Sequence, residues 1–164
     1  MKGIDKMKRS FTALVAVLML SGMTGVKADT ASVPNKAGLV VIDSANAMAE
    51  TEKRLIAALD AEGLKVAARI DHAANAKGVG LDLAPTVLFI FGNPKAGTGL
   101  IEKERTVAID LPLKILLWDD KGNVKIAYND PTYIAQRHGL DASSPVLAQI
   151  AAVLKRFAAA AATR

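Results

Sequence analysis

Leu113-Lys-Ile-Leu-Leu-Trp-Asp-Asp-Lys-Gly-Asn-Val-Lys-Ile-Ala-Tyr128 is the stretch that decides the fold class. Leu113 to Trp118 and Val124 to Tyr128 are apolar-rich runs joined by Asp119-Asp-Lys-Gly-Asn123. Gly122 in the connection marks a hairpin with a longer turn. Side chains alternate along a strand, so Leu113, Ile115 and Leu117 share one face, and Val124, Ile126 and Tyr128 share one face of the partner. A hairpin makes antiparallel neighbours, which argues for an antiparallel or mixed sheet with helices on one face. A doubly wound sheet needs regular crossover helices, and only residues 46–62 supply one.

Working outward from the hairpin, Gly38-Leu-Val-Val-Ile-Asp43 reads as a first strand, with Ser44 as helix N-cap. Met48, Leu55, Ile56 and Leu59 recur at helical spacing, and Gly63 fits the position just past a helix end. Leu64, Val66, Ala68 and Ile70 alternate with Lys65, Ala67 and Arg69, as in a half-exposed strand with its charged face outward. Residues 72–79 suit one or two helical turns. Thr86 to Phe91 reads as a buried strand, 92–99 as a Gly/Pro-rich loop, and 100–110 as short helical turns. Pro131 starts a short helix that Gly139 ends. Ser144 and Pro145 open a last helix with a Val146, Ile150, Val153, Phe157 stripe. The expected core is Leu55, Leu59, Val66, Ile70, Leu88, Ile90, Ile115, Leu117 and Ile150.

The N-terminus has the order of a secretory signal: Lys2, Lys6, Lys8 and Arg9, an apolar run over 11–20, then Val26-Lys27-Ala28 as a small-residue cleavage pattern. The run is about half the roughly 20 residues that span a bilayer. The expected organisation is a signal peptide over 1–28, a flexible lead-in over 29–37, an α+β domain over 38–157 and a frayed tail over 158–164. The expected location is exported, and periplasmic if the source is Gram-negative, with no stable membrane insertion after cleavage. The formal charge of +5 arises mainly in that leader, which holds five basic residues and one acidic. Subtracting them from totals of 21 and 16 leaves 16 basic and 15 acidic residues, a net of +1. That balance argues against nucleic-acid binding, which needs clustered basic surplus. The chain has no cysteine, so it has neither disulfides nor thiolate chemistry.

Three stretches together resemble one family. They are Ala68 to Gly80, Pro85-Thr-Val-Leu-Phe-Ile-Phe-Gly-Asn-Pro-Lys-Ala-Gly-Thr98, and Asp110-Leu-Pro-Leu-Lys114 with Tyr128-Asn-Asp-Pro131. The resemblance is to the DUF302 family, also called TT1751-like, over residues 38–140. It implies a single β-α-β4-α core akin to TBP-like folds, and neither an established activity nor catalytic residues.

Few residues offer chemistry. The chain has two histidines, His72 and His138, with no metal-ligand spacing, so no metal and no cofactor is expected. Asp71 can cap the turn that His72 begins, and Asn129 or Asp130 the helix at Pro131. Asn93, Lys95 and Thr98 stand in the glycine-rich segment, which offers backbone N–H groups to a small anion. Lys114 lies four residues after Asp110 and alternates with apolar neighbours. The reading that follows is a small-ligand-binding or interaction domain, a homodimer, with ligand contacts at Asn93, Lys95, Thr98 and Lys114. The alternative is an enzyme using His72 or His138 as acid or base beside an anion-binding loop.

Overall fold

The computed structural model describes residues 34–164, so the expected signal peptide and most of the lead-in lie outside the described residues. Among these residues five strands form one antiparallel sheet: β1 (Leu39–Asp43), β2 (Val66–Asp71), β3 (Thr86–Phe91), β4 (Leu113–Asp120) and β5 (Asn123–Asn129). Their spatial order is β1-β5-β4-β3-β2, so the hairpin strand β4 is central. Ile115 pairs with Tyr128 and Leu117 with Ile126, so the two predicted apolar faces lie together, but the longer turn expected over 119–123 is a tight one: Asp120 pairs with Asn123 and only Lys121 and Gly122 connect the strands. Lys121 and Gly122 both take positive φ at its turn, and the Gly122 amide donates to Asp119 Oδ1.

Two long helices, α1 (Met48–Ala61) and α5 (Pro145–Ala162), pack against each other and on one face of the sheet. Shorter helices are α2 (His72–Gly78), α3 (Pro94–Lys103) and α4 (Pro131–Arg137), with a 3-10 turn at Arg105–Ile109. Leu55 and Leu59 of α1 and Leu154 and Phe157 of α5 meet Phe89, Phe91, Ile115, Leu117 and Ile126 in the main core. The Phe91 and Phe157 rings meet edge to face at 5.8 Å, a favoured aromatic geometry. A smaller cluster joins Leu100, Val107, Ile134, Ala135 and Leu147.

Four other expectations change. In β3 the core side is Val87, Phe89 and Phe91, not Leu88 and Ile90. A continuous apolar run contains both faces, and a one-residue choice exchanges them. Ile70 moves with them, because it pairs with Leu88, while Arg69 pairs with Phe89 and turns to the helix side. There Arg69 bonds Glu52 of α1 at 2.7 Å and lies over the Phe89 ring. Second, 94–99 is helix rather than loop. Asn93 and Pro94 form its N-cap and first turn, and Gly97 and Gly99 are interior with no positive φ. Third, residues 158–162 are not frayed: α5 reaches Ala162, with Ala158, Ala161 and Ala162 buried. Small side chains let the helix approach closely, and Asn46 Nδ2 donates to the carbonyls of Ala161 and Thr163. Fourth, α1 is capped at Ala47 rather than Ser44, whose Oγ instead accepts from the Asn46 amide and contacts Thr51 Oγ1.

Candidate functional site

β3 leaves the sheet at Phe91, and Gly92 then passes close to the start of β4. A Cβ at Gly92 would lie 3.2 Å from Pro112 Cβ, so the chain here is held tightly against the entry of β4. Asn93 stops the strand and starts α3. Its Oδ1 accepts from the Lys95 amide at 3.0 Å, and Pro94 fills the first helical position, where no N–H is needed. Between this junction, the entry of β4 and α5 lies a cleft of about 600 Å³. Leu100, Leu111, Pro112, Leu113, Val146, Ile150 and Val153 make its walls apolar, and Asn93, Thr98 and Gln149 add polar points. Its size falls within the usual range for small-molecule sites, about 300–1,000 Å³. The apolar stripe of α5 thus divides: Phe157 enters the core, while Val146, Ile150 and Val153 face the cleft.

The cleft offers little to an anion. The Ala96 and Gly97 amides donate to the Asn93 carbonyl at 3.1 and 3.0 Å, and Lys95 N–H is taken by the Asn93 side chain. The donors that the glycines seemed to leave open are therefore spent on starting a helix. No lysine or arginine is among the lining residues, and the lining acid Glu62 is paired with Arg156 at 2.7 Å.

The candidates read from sequence separate in space. Asn93 and Thr98 line the cleft; Lys95 and Lys114 do not. His72 opens α2 with an exposed side chain, capped through Asp71 Oδ1, which accepts from the Ala74 amide at 2.9 Å. That bond, more than the Arg69 guanidinium, holds the Asp71 carboxyl below its ordinary value.

His138 ends α4 and is only 6% exposed. Its Nε2 is 2.6 Å from Asp110 Oδ2 and its Nδ1 2.9 Å from Thr106 Oγ1. Glu104 Oε1 accepts from both the Thr106 amide and hydroxyl, which keeps its carboxyl below the usual glutamate range. Arg137 reaches Asp110 Oδ1 at 3.4 Å. Lys114 Nζ donates to the carbonyls of Asp110 and Pro112 at 2.9 and 2.8 Å, and burial pushes its ammonium pKa down. An acid or base needs a ring nitrogen facing substrate. Both nitrogens of His138 face protein, and His138 is absent from the cleft wall. The group instead ties α4 and the 3-10 turn to Asp110, and so positions Leu111, Pro112 and Leu113, three residues of that wall. The four-residue spacing of Asp110 and Lys114 does not show this contact, because the lysine reaches the Asp110 backbone carbonyl rather than its carboxylate. Among the described residues no group of three or more His, Asp or Glu side chains could hold a metal ion.

A family model described as "Domain of unknown function DUF302" matches residues 40–159. A crystal structure of an uncharacterized conserved protein DUF302 from Bacillus stearothermophilus is similar to this chain with a TM-score of 0.62 and 26% identity, covering 76% of this chain and 95% of its own. Proteins named "Fluoride-specific ion channel FluC 1" from Brucella suis biovar 1 and Brucella abortus biovar 1 are each 47% identical to it over 110 residues. Those matches take in 66% of this chain and 43% and 41% of the relatives, so the chain spans less than half the length of these curated relatives.

Proposed function

We propose that this chain, which belongs to the DUF302 family of domains of unknown function, is an exported binding domain for a small, neutral, largely apolar molecule. The observation that carries the reading is the cleft between α3, the entry of β4 and α5: apolar walls, polar points at Asn93, Thr98 and Gln149, and no lining cation. Burial of apolar ligand surface supplies affinity there, and the few polar groups set orientation. The chemistry favours a neutral ligand over the small anion expected from the glycine-rich segment, because an anion would enter a largely apolar site without a lining counter-charge.

The test is thermal unfolding against a panel of small neutral apolar compounds, carboxylates and phosphates. A ligand at about 100 times its dissociation constant adds about 2.7 kcal/mol to stability. Ala96 is exposed at the cleft wall, so Ala96→Trp fills the space without emptying the core. Neutral compounds should stabilise the wild type and not Ala96→Trp. Stabilisation by anions alone, or binding indifferent to Ala96→Trp, would refute the reading.

A second reading rests on the relatives named as fluoride channels: a domain of this kind serves fluoride transport as an accessory. It predicts that loss of this chain changes the fluoride tolerance of its host. Unaltered tolerance removes that reading and leaves the first standing.

A further inference from the structure

The apolar walls of the cleft are aliphatic throughout. None of its lining residues is Phe, Tyr or Trp, so it offers no ring face for stacking. Its apolar residues form a track. Leu64, Leu113 and Val153 pack against the main core, Ile101 and Val146 against the smaller cluster, and Ile150 against both. The cleft therefore follows the seam between the two clusters. Along that seam runs the stripe of α5, where Val146, Ile150 and Val153 fall on one helical face. At 1.5 Å of rise per residue the stripe is about 10 Å long. An extended chain advances about 1.2 Å per bond, so about eight carbons cover it.

One end of the track is polar. Glu62 stands there at the end of α1, paired with Arg156 at 2.7 Å. Val66 of β2 pairs with Phe91 of β3, which brings Asn93 out at the same end, beside Leu64. Asn93 Oδ1 accepts from the Lys95 amide at 3.0 Å, which leaves the Asn93 NH2 group to donate. The other end, at Ile101 and Val146, is aliphatic. We infer that this cleft, if it is the ligand site proposed above, takes a single-chain amphiphile: an unbranched alkyl chain of about eight carbons or more with a neutral oxygen head. The chain lies along the α5 stripe, and the head oxygen accepts from the Asn93 NH2 group. A flexible chain meets the branched side chains of the track at every carbon, whereas a rigid ring system finds no flat wall. A charged head gains nothing, because Arg156 is already held by Glu62 and no cation lines the cleft.

The probe is the series of unbranched 1-alkanols from butanol to decanol, titrated into the protein by calorimetry below their solubility limits. Each added methylene should tighten binding by about four-fold, the value of burying one CH2 group, until the chain fills the track and the series levels off. Val146→Phe fills the aliphatic end and should move the levelling-off to a shorter chain, with the shortest alcohols bound as before. If Val146→Phe fails to fold, Thr98→Phe at an exposed position of the α3 wall takes its place, with the same shortening expected. Ala96→Trp should remove binding at every length. Affinity that does not rise with chain length overturns the inference, and so does a levelling-off that the folded Phe variant leaves in place or binding that survives Ala96→Trp. Stabilisation by compact neutral compounds with no response to the alkanols overturns it and leaves the cleft standing as a ligand site. A failure of every neutral compound to bind removes both.

Discussion

Gly97 and Gly99 occupy the middle of a ten-residue helix, and replacing them separates two demands on that helix. Neither has positive φ, so alanine is compatible with the backbone at both. A Cβ at Gly99 meets nothing within 4 Å; one at Gly97 meets Leu111 Cδ1 at 3.8 Å, an ordinary contact. In a helix interior glycine is less favourable than alanine by about 0.8–1.0 kcal/mol, chiefly through backbone entropy. Gly99→Ala should therefore stabilise the protein by about 0.5–1 kcal/mol, which at this chain length raises the melting temperature by about 3–5 °C per kcal/mol. Gly97→Ala should stabilise by a similar amount. The two differ in their effect on binding, because Gly97 lines the cleft and Gly99 does not. Its new methyl would occupy cleft space beside Leu111, so ligands found by the thermal screen should bind Gly97→Ala more weakly and Gly99→Ala unchanged. The assay is urea unfolding of wild type and both variants, followed by ligand titration of each. Destabilisation by Gly99→Ala would refute the helical reading of this segment. Equal ligand affinity in both variants would refute the placement of the cleft.

Leu59 is fully buried in the main core, and Leu59→Ala should cost about 2–5 kcal/mol in urea unfolding. Gly38 has φ +73 and a Cβ there would lie 2.1 Å from Tyr133 Cγ, so Gly38→Ala should cost more than about 2 kcal/mol, partly recovered in a Gly38→Ala, Tyr133→Ala double variant. Asp71, Glu104 and Asp141 have folded pKa values below their ordinary 3.8, 4.5 and 3.8, set first by the Ala74 amide, the Thr106 amide and the Ser143 hydroxyl. The unfolded chain takes up protons first as pH falls, so their stabilising contribution is complete above those ordinary values and is lost below them. The gap in melting temperature between wild type and Asp71→Asn should therefore narrow as pH falls through 3.8 and below. Asp110→Ala strips the buried His138 ring of its partner and should cost about 1–3 kcal/mol while also weakening cleft ligands, since Leu111 to Leu113 lose their anchor.

Local signals made much of this fold readable. The hairpin and the inward faces of its two strands were readable from Gly122 and the apolar runs beside it, though its turn is tighter than expected, and Gly63 and Gly139 stand at helix ends with positive φ, as their positions suggested. Asp71 and Asp130 cap helices because short acidic side chains before a helical run have few better partners. What escaped was decided by tertiary contact. Thr86 to Phe91 is apolar at every position after its first, so alternation could not say which face meets α1 and α5. The larger aromatic pair, Phe89 and Phe91, took the core. The glycines of α3 pointed to a loop because propensity opposes helix there; the Asn93 cap, Pro94 and the packing of Leu100 outweigh it. The cleft joins residues from 62 to 153, a convergence with no local pattern. Within the candidate site only Asn93 and Thr98 were legible.

The faces of β3 also bear on the cleft. With Phe89 and Phe91 inward, the core beneath α1 and α5 is filled by rings, and Leu113, Ile150 and Val153, which pack against that core, form the aliphatic wall of the cleft. Ala96 is exposed at the same cleft, so Ala96→Trp should abolish ligand stabilisation while changing urea unfolding by no more than about 0.5 kcal/mol. A larger loss of stability in Ala96→Trp would mean that the wall at α3 is packed rather than open to a ligand.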